Sequence, residues 1–343
     1  MTVPSGSLEL LLVHAEGEIG KVIMRGAPSI PGKSVLEKLV HLNDVDDQVR
    51  RFCTLEPRGM VQASVNLLLE PVMPGTDAGF IVMQPDRCHA MSGSNAICVT
   101  TALLESGRVT MTEPETRLVL DTAAGPVPVT ASCEHGRCER VRLDMPWSFL
   151  VEDSLDLEVP GIGSVSVAIA FGGVFYLLVE TAPLELMIGA ADARQLVDLG
   201  MAILEAAQAR WNPEHPERPG IGGVAYLMFM AEAADGRRTN ATVMPPGRID
   251  RSPCGTGSSA RLALLHARNE LAAGDGCSFH SIIGSRFDAG IGESGMMAGR
   301  PAIRPWISGR GWVYGREEFY RLGDEPFPAG HALGDTYGPG IRA

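Results

Sequence analysis

Features that would announce a metal, a membrane or a nucleic acid are missing from this 343-residue chain. Its seven cysteines, at 53, 88, 98, 133, 138, 254 and 277, form no CxxC pair and no zinc spacing. Their odd number fits reduced thiols better than a disulfide framework. Cys133, His135 and Cys138 lie close in SCEHGRCER, but Gly136 between two strand-like runs reads as a hairpin turn, so no metal is expected. Positive charge is also scarce: the net charge is -12 and no Lys/Arg cluster relieves it, which excludes nucleic acid as a partner. A small anionic substrate needs only a local site and stays open. No apolar run reaches membrane-spanning length, and the start, MTVPSGSLELLLVHAEGE, lacks a basic segment. It reads as a first strand in a cytoplasmic protein. With 20% charged and 45% hydrophobic residues, the composition is that of a globular chain long enough for two domains.

What the chain does have is Asp250-Arg251-Ser252-Pro253-Cys254-Gly255-Thr256-Gly257 followed by SSARLALLHARNELAAG. Leu262, Ala263 and Leu265 fall near one face, with Arg261, Arg268 and Glu270 off it, which predicts a helix closed by Gly274. Cys254 therefore sits at a helix mouth, where free N–H groups and the helix dipole favour negative charge. There a thiol is expected to ionise more easily and a carboxylate can dock beside it. The alternative is an inert buried cysteine after a Pro-Gly turn.

A second loop has the same form. Met91-Ser92-Gly93-Ser94-Asn95 precedes AICVTTALLESG, again small polar residues opening a buried helix, 162 positions before Cys254. The Gly172-Gly173 turn after SVSVAIAF stands 158 positions beyond HAEGE, the loop after the first strand, and the agreement of the two spacings suggests two halves of one architecture. HAEGE itself carries His14, Glu16 and Glu18, either ligand contacts or a solvated acidic turn. PGKSVLEKLVHLNDVDDQVRRFCTLEPRG predicts one helical stretch ended by Pro57 and Gly59. Composition turns near residue 155, so the division expected is 1–155, completed by strands from about 305–343, and 156–304. Strands interleaved with one central helix per half describe an α+β protein.

The loops HAEGE, EPRG, MSGSN, FGG, DRSPCGTG and ISGRGWV, in that order, resemble the proline racemase family along most of the chain. The resemblance implies a diaminopimelate epimerase-like fold: two pseudo-symmetric halves, each a curved sheet around a central helix, with the active site in the cleft between them. It also implies cofactor-independent chemistry at Cα of an imino acid. By this resemblance Cys254 matches a catalytic cysteine, Asp250 the acid that holds the substrate amine, and Gly93, Gly255, Thr256 and Gly257 the donors around its carboxylate. Ser94 and Asn95 of the first loop are expected among the substrate-binding residues as well.

The chain departs from the racemases at that loop, where Ser92-Gly93-Ser94 replaces Cys-Gly-His. A serine needs something to take its proton before it can act as a base. His14 or His89 are the candidates, and a helix-capping serine is the plain alternative. An altered pair implies hydroxyproline as the small-molecule substrate, with 2-epimerisation of the trans-4-hydroxy-L isomer and dehydration of trans-3-hydroxy-L-proline, and Ser92 and Cys254 as the proton-transfer pair. A cysteine-nucleophile hydrolase or acyltransferase and a non-catalytic imino-acid binding protein are the rival readings. A homodimer is left open.

Overall fold

The computed structural model describes residues 6–338 and 341, in two compact units. One runs up to Arg142 and resumes at Arg310; the other is Leu143–Gly309.

The first unit contains β1 (Ser7–Ala15), β2 (Glu18–Arg25), α1 (Val35–Asp44), α2 (Gln48–Thr54), β3 (Ala63–Leu69), β4 (Ala78–Met83), β5 (Cys88–His89) and α3 (Gly93–Glu105). Then come β6 (Glu115–Thr122), β7 (Gly125–Glu134) and β8 (Arg137–Asp144), the last crossing the division, and the returning strand Gly311–Tyr320 lies antiparallel to β1. Residues 35–54 form two helices where one stretch was expected. Asp46 accepts the Gln48 N–H at 3.1 Å, an Asx turn that competes with helix continuation. β7 alternates buried Val127, Val129, Ala131 and Cys133 with outward residues, the period of a sheet with one face on the core. β4 is buried on both faces. His135 and Gly136 take positive φ in the β7–β8 turn, leaving His135 exposed while Cys133 and Cys138 are buried.

The second unit contains β9 (Ser148–Val159), β10 (Gly163–Phe171), β11 (Phe175–Glu180), α4 (Ala193–Arg210), β12 (Val224–Glu232), β13 (Arg238–Met244), β14 (Arg248–Ile249), α5 (Gly255–Ala267), β15 (Gly276–Ser281), β16 (Arg286–Met297) and β17 (Arg300–Gly309). The pairings β9–β10–β11–β12–β13–β15–β16–β17 return to β9, so the strands close on themselves. β9 begins at Ser148 and pairs with both β10 and β17, which is why the division lies before 155.

The two units repeat one plan. In the first, β1–β2 is antiparallel, β2–β3 parallel, β3–β4 and β4–β5 antiparallel, β4–β6 parallel and β6–β7 antiparallel. The second gives the same series from β10 to β16, with α5 in the place of α3.

α5 packs against β9, β10, β11, β16 and β17, and Gly255–Leu265 are all buried. Of the polar residues expected to be solvated, Arg261 is not, while Arg268 and Glu270 lie past the end of the helix, which stops at Ala267 and not at Gly274. Arg261 is buried and donates to Asn240 Oδ1 at 2.8 Å and to the Thr239 and Ala231 carbonyls, which satisfies a charge that burial would otherwise penalise. Backbone meets backbone closely at Gly172, beside α5. A Cβ there would lie 2.0 Å from the Thr256 carbonyl oxygen and 2.6 Å from the Ala260 nitrogen, both backbone. Gly172→Ala is expected to destabilise the protein by about 3 kcal/mol, since backbone on both sides must shift. Gly323→Ala, with no atom within 4 Å, should stay within about 0.5 kcal/mol in the same urea titration. Equal midpoints for the two variants would contradict this packing.

Candidate active site

In the first unit Ser92 is the N-cap of α3, extended at φ -150 and ψ 125. Its Oγ accepts from the Asn95 side-chain Nδ2 at 2.9 Å and, more weakly, from the Asn95 backbone N–H at 3.4 Å. Both lone pairs are then engaged, and the hydroxyl's own proton is left for Ser94 Oγ at 3.2 Å. Asn95 is aimed by a second buried amide, since Asn66 Nδ2 donates to Asn95 Oδ1 at 2.8 Å and to the Lys21 carbonyl at 3.2 Å. Gly20 makes room for it: a Cβ there would lie 2.6 Å from Asn95 Oδ1.

Neither histidine considered for Ser92 is among its hydrogen-bond partners. His14 accepts the Gly17 N–H at 3.3 Å and stacks on Trp312, and burial holds its pKa below the ordinary value. His89 is buried and reaches Asp86 Oδ2 at 3.2 Å. In HAEGE, Glu16 accepts the Arg310 N–H at 3.2 Å and Glu18 is buried. Among the described residues Ser92 is thus a capping serine with a polarised hydroxyl, and its hydrogen-bond partners, Ser94 and Asn95, include no base.

In the second unit Cys254 is the N-cap of α5, at φ 65, a left-handed conformation costly for a residue with a side chain. A network holds it there. Asp250 Oδ1 accepts the Ser252 N–H and hydroxyl, each at 2.8 Å, and Ser252 Oγ accepts the Cys254 N–H at 3.1 Å. Asn240 on β13 donates to the Pro253 carbonyl at 3.0 Å, and Ser258 donates to the same oxygen at 3.1 Å. The sulfur lies 3.2 Å from the Tyr176 hydroxyl, which is itself 2.7 Å from Thr256 Oγ1.

Cys254 is only 4% exposed, and this changes the expectation for its ionisation. Burial pushes the thiol up to about 12, and the Asp250 carboxylate adds to the rise, although the Tyr176 and Thr242 hydroxyls and the Gly257 N–H favour the thiolate. Desolvation outweighs the helix N-terminus here. Gly257, expected among the carboxylate donors, turns its N–H toward this sulfur. The N–H groups of Gly93, Ser94, Gly255 and Thr256 have no partner among the described residues, as expected in a first helical turn. Each loop thus keeps two free donors for an anion.

The third residue after each cap shows how the loops differ. Asn95 follows Ser92 and supplies its donor from the helix itself; Gly257 follows Cys254, has no side chain, and leaves the space to Met228 and Tyr176 from the sheet. Tyr176, Thr242, Asn240 and Asn66 were not found from sequence. They carry no motif of their own: Tyr176 and Asn66 lie in mostly apolar strands, and Asn240 and Thr242 share the more polar β13, so only burial, which sequence does not give, singles them out.

Residues 10–332 match the sequence profile described as proline racemase. The chain belongs to that family. It is 49% identical over 339 residues to a 4-hydroxyproline 2-epimerase of Agrobacterium fabrum, and 49% identical over 335 to one of Rhizobium etli, with 97% of both chains covered in each case. Among solved structures it matches a hydroxyproline epimerase from Agrobacterium vitis with bound trans-4-hydroxy-L-proline at a TM-score of 0.95, with 46% identity over 99% of each chain. A PhzF-family phenazine biosynthesis protein of Bacillus anthracis shares the fold at a TM-score of 0.55 and 11% identity, covering 91% of this chain and 99% of that one.

Because the folded-state pKa of the Cys254 thiol is raised, the proton stays on at neutral pH and the thiolate fraction grows about tenfold per pH unit until that value is reached. Alkylation of Cys254 by iodoacetamide, followed by peptide mass mapping in the substrate-free protein, is expected to accelerate through pH 8–11. A plateau by pH 8 would contradict the buried-thiol description.

Proposed function

We propose that this protein epimerises trans-4-hydroxy-L-proline at Cα to cis-4-hydroxy-D-proline, and dehydrates trans-3-hydroxy-L-proline to pyrroline-2-carboxylate, with no cofactor. The observation that carries the substrate reading is the 49% identity to 4-hydroxyproline 2-epimerases along 97% of both chains. In this reading the two-unit plan is of the diaminopimelate epimerase type.

The chemistry follows from the two loops. A Cα–H becomes acidic enough to remove only if the neighbouring carboxylate is held by oriented donors away from water, and the free N–H groups at the α3 and α5 caps are donors of that kind. Cys254 as thiolate takes the α-proton, and Asp250 holds the substrate amine, whose positive charge also offsets the carboxylate's opposition to a thiolate. Ser92, with two N–H groups on its oxygen, is the proton donor of the pair, since those donors stabilise the negative charge left behind. In epimerisation one proton leaves Cα to sulfur and another arrives from the opposite side. In dehydration the electron pair left on Cα forms a double bond to C3 as the C–O bond breaks, hydroxide leaves as water once protonated, and the resulting enamine becomes the cyclic imine as a proton passes from nitrogen to C3. The second outcome needs only one base.

A hydrolase would pair Cys254 with a histidine, but the hydrogen-bond partner of its sulfur among the described residues is the Tyr176 hydroxyl. The test is incubation in D2O with each substrate, following α-deuterium by NMR and the cyclic imine by its colour reaction. Deuterium at Cα of both 4-hydroxyproline epimers, and imine from the 3-hydroxy isomer, are expected. Binding of either imino acid without exchange would favour a non-catalytic binding protein.

A further inference from the structure

Tyr176 is fully buried on β11, and its hydroxyl is a polar group that the reaction above does not use. We propose that Tyr176 is a positioning residue for Cys254: held by Thr256, its O–H donates to the sulfur when the thiol loses its proton, and so fixes the thiolate in place. The proposal rests on the reading of Cys254 as the base.

The tyrosine hydroxyl has two polar neighbours, Cys254 Sγ at 3.2 Å and Thr256 Oγ1 at 2.7 Å, and a single proton to give. If it donated to threonine, the thiolate would lose a donor in a site it shares with the Asp250 carboxylate. If Thr256 donates to the tyrosine oxygen, the phenolic proton is released for the sulfur, and the Thr256, Tyr176 and Cys254 side chains form one donor chain ending at the sulfur. The second arrangement is the lower in energy once sulfur is charged, because hydrogen bonds to an ion are the stronger ones. Threonine can make it, since its own hydroxyl carries a proton.

Steric features fix the ring. Tyr226 packs 5.6 Å away, centroid to centroid. On the other side Gly257 keeps the path open: a Cβ there would lie 3.1 Å from both Cys254 Sγ and Tyr176 Cε1. Burial and the neighbouring thiol push the Tyr176 pKa well above its ordinary value, so the phenol remains a donor and keeps its proton through the cycle. The other groups facing the sulfur are the Thr242 hydroxyl on β13, the Gly257 N–H on α5 and the opposing Asp250 carboxylate. Tyr176 is the one contributed by β11.

The test is the pH dependence of α-deuterium exchange from 4-hydroxyproline. For Tyr176→Phe the rising limb of kcat, which reports the substrate complex, should move up by about one pH unit, so that the rate at any pH on that limb falls about tenfold while KM changes little. Thr256→Val should move the limb in the same direction, and Thr256→Ser, which keeps the hydroxyl, should hold the wild-type midpoint. Tyr176→Phe with an unmoved limb, whatever its thermal stability, would overturn the proposal; if that variant does not fold, an unmoved limb in Thr256→Val does so. A Cys254→Ala protein that still exchanges would instead overturn the reading of the base, whereas an inactive Cys254→Ala beside an unmoved Tyr176→Phe limb rejects Tyr176 alone.

Discussion

The first turn of a helix leaves amide N–H groups that no residue of the helix can satisfy, and burying that turn demands another partner for them. Both units of this chain bury such a turn. Gly93–Leu104 of α3 and Gly255–Leu265 of α5 are enclosed by their strands, and small residues at the caps let the backbone stand close. The strands around α5 close into a ring that leaves no solvated face on that helix, which explains both the buried Arg261 and the tight contact at Gly172. A site for an anion follows from the fold before any catalytic side chain is considered. Each cap then carries a side chain of its own, Ser92 in one unit and Cys254 in the other.

Those side chains are not equivalent although the plan is repeated. At Ser92 the polar support comes from within the helix, through Asn95, itself held by Asn66. At Cys254 it comes from the sheet, through Tyr176, with glycine at the position that is Asn95 in the first unit. The first arrangement gives N–H groups to an oxygen, which suits the release of a proton. The second gives hydroxyls and one N–H to a sulfur whose burial keeps it protonated until something compensates the charge. A substrate amine beside Asp250 is such a compensation, so base and substrate would be activated together.

Much of this was legible in the residues. The cap positions of Ser92 and Cys254, the α+β class and the repeat followed from Gly-rich loops preceding periodic apolar runs, because those local signals depend on few neighbours. Family membership was legible from the ordered loops. What could not be read depended on contacts distant in sequence. Tyr176 lies 78 residues before Cys254 and carries no motif of its own. The burial of Arg261 depends on strands on every side of α5, which periodicity cannot count. The expectation of an easily ionised thiol failed for the same reason, since the helix dipole is a local feature and desolvation is a property of the whole unit. The break between α1 and α2 was local, but Asp46 competes with helix only through a side-chain bond that composition does not reveal.

The central claim, one thiol base and one serine donor, is tested most directly by comparing Cys254→Ala with Ser92→Ala in D2O, using each 4-hydroxyproline epimer as the starting material. The account predicts that Cys254→Ala takes up no α-deuterium from either epimer. It predicts that Ser92→Ala still exchanges one epimer at Cα while producing none of the other. Exchange in Cys254→Ala, or epimerisation at the wild-type rate in Ser92→Ala, would contradict it.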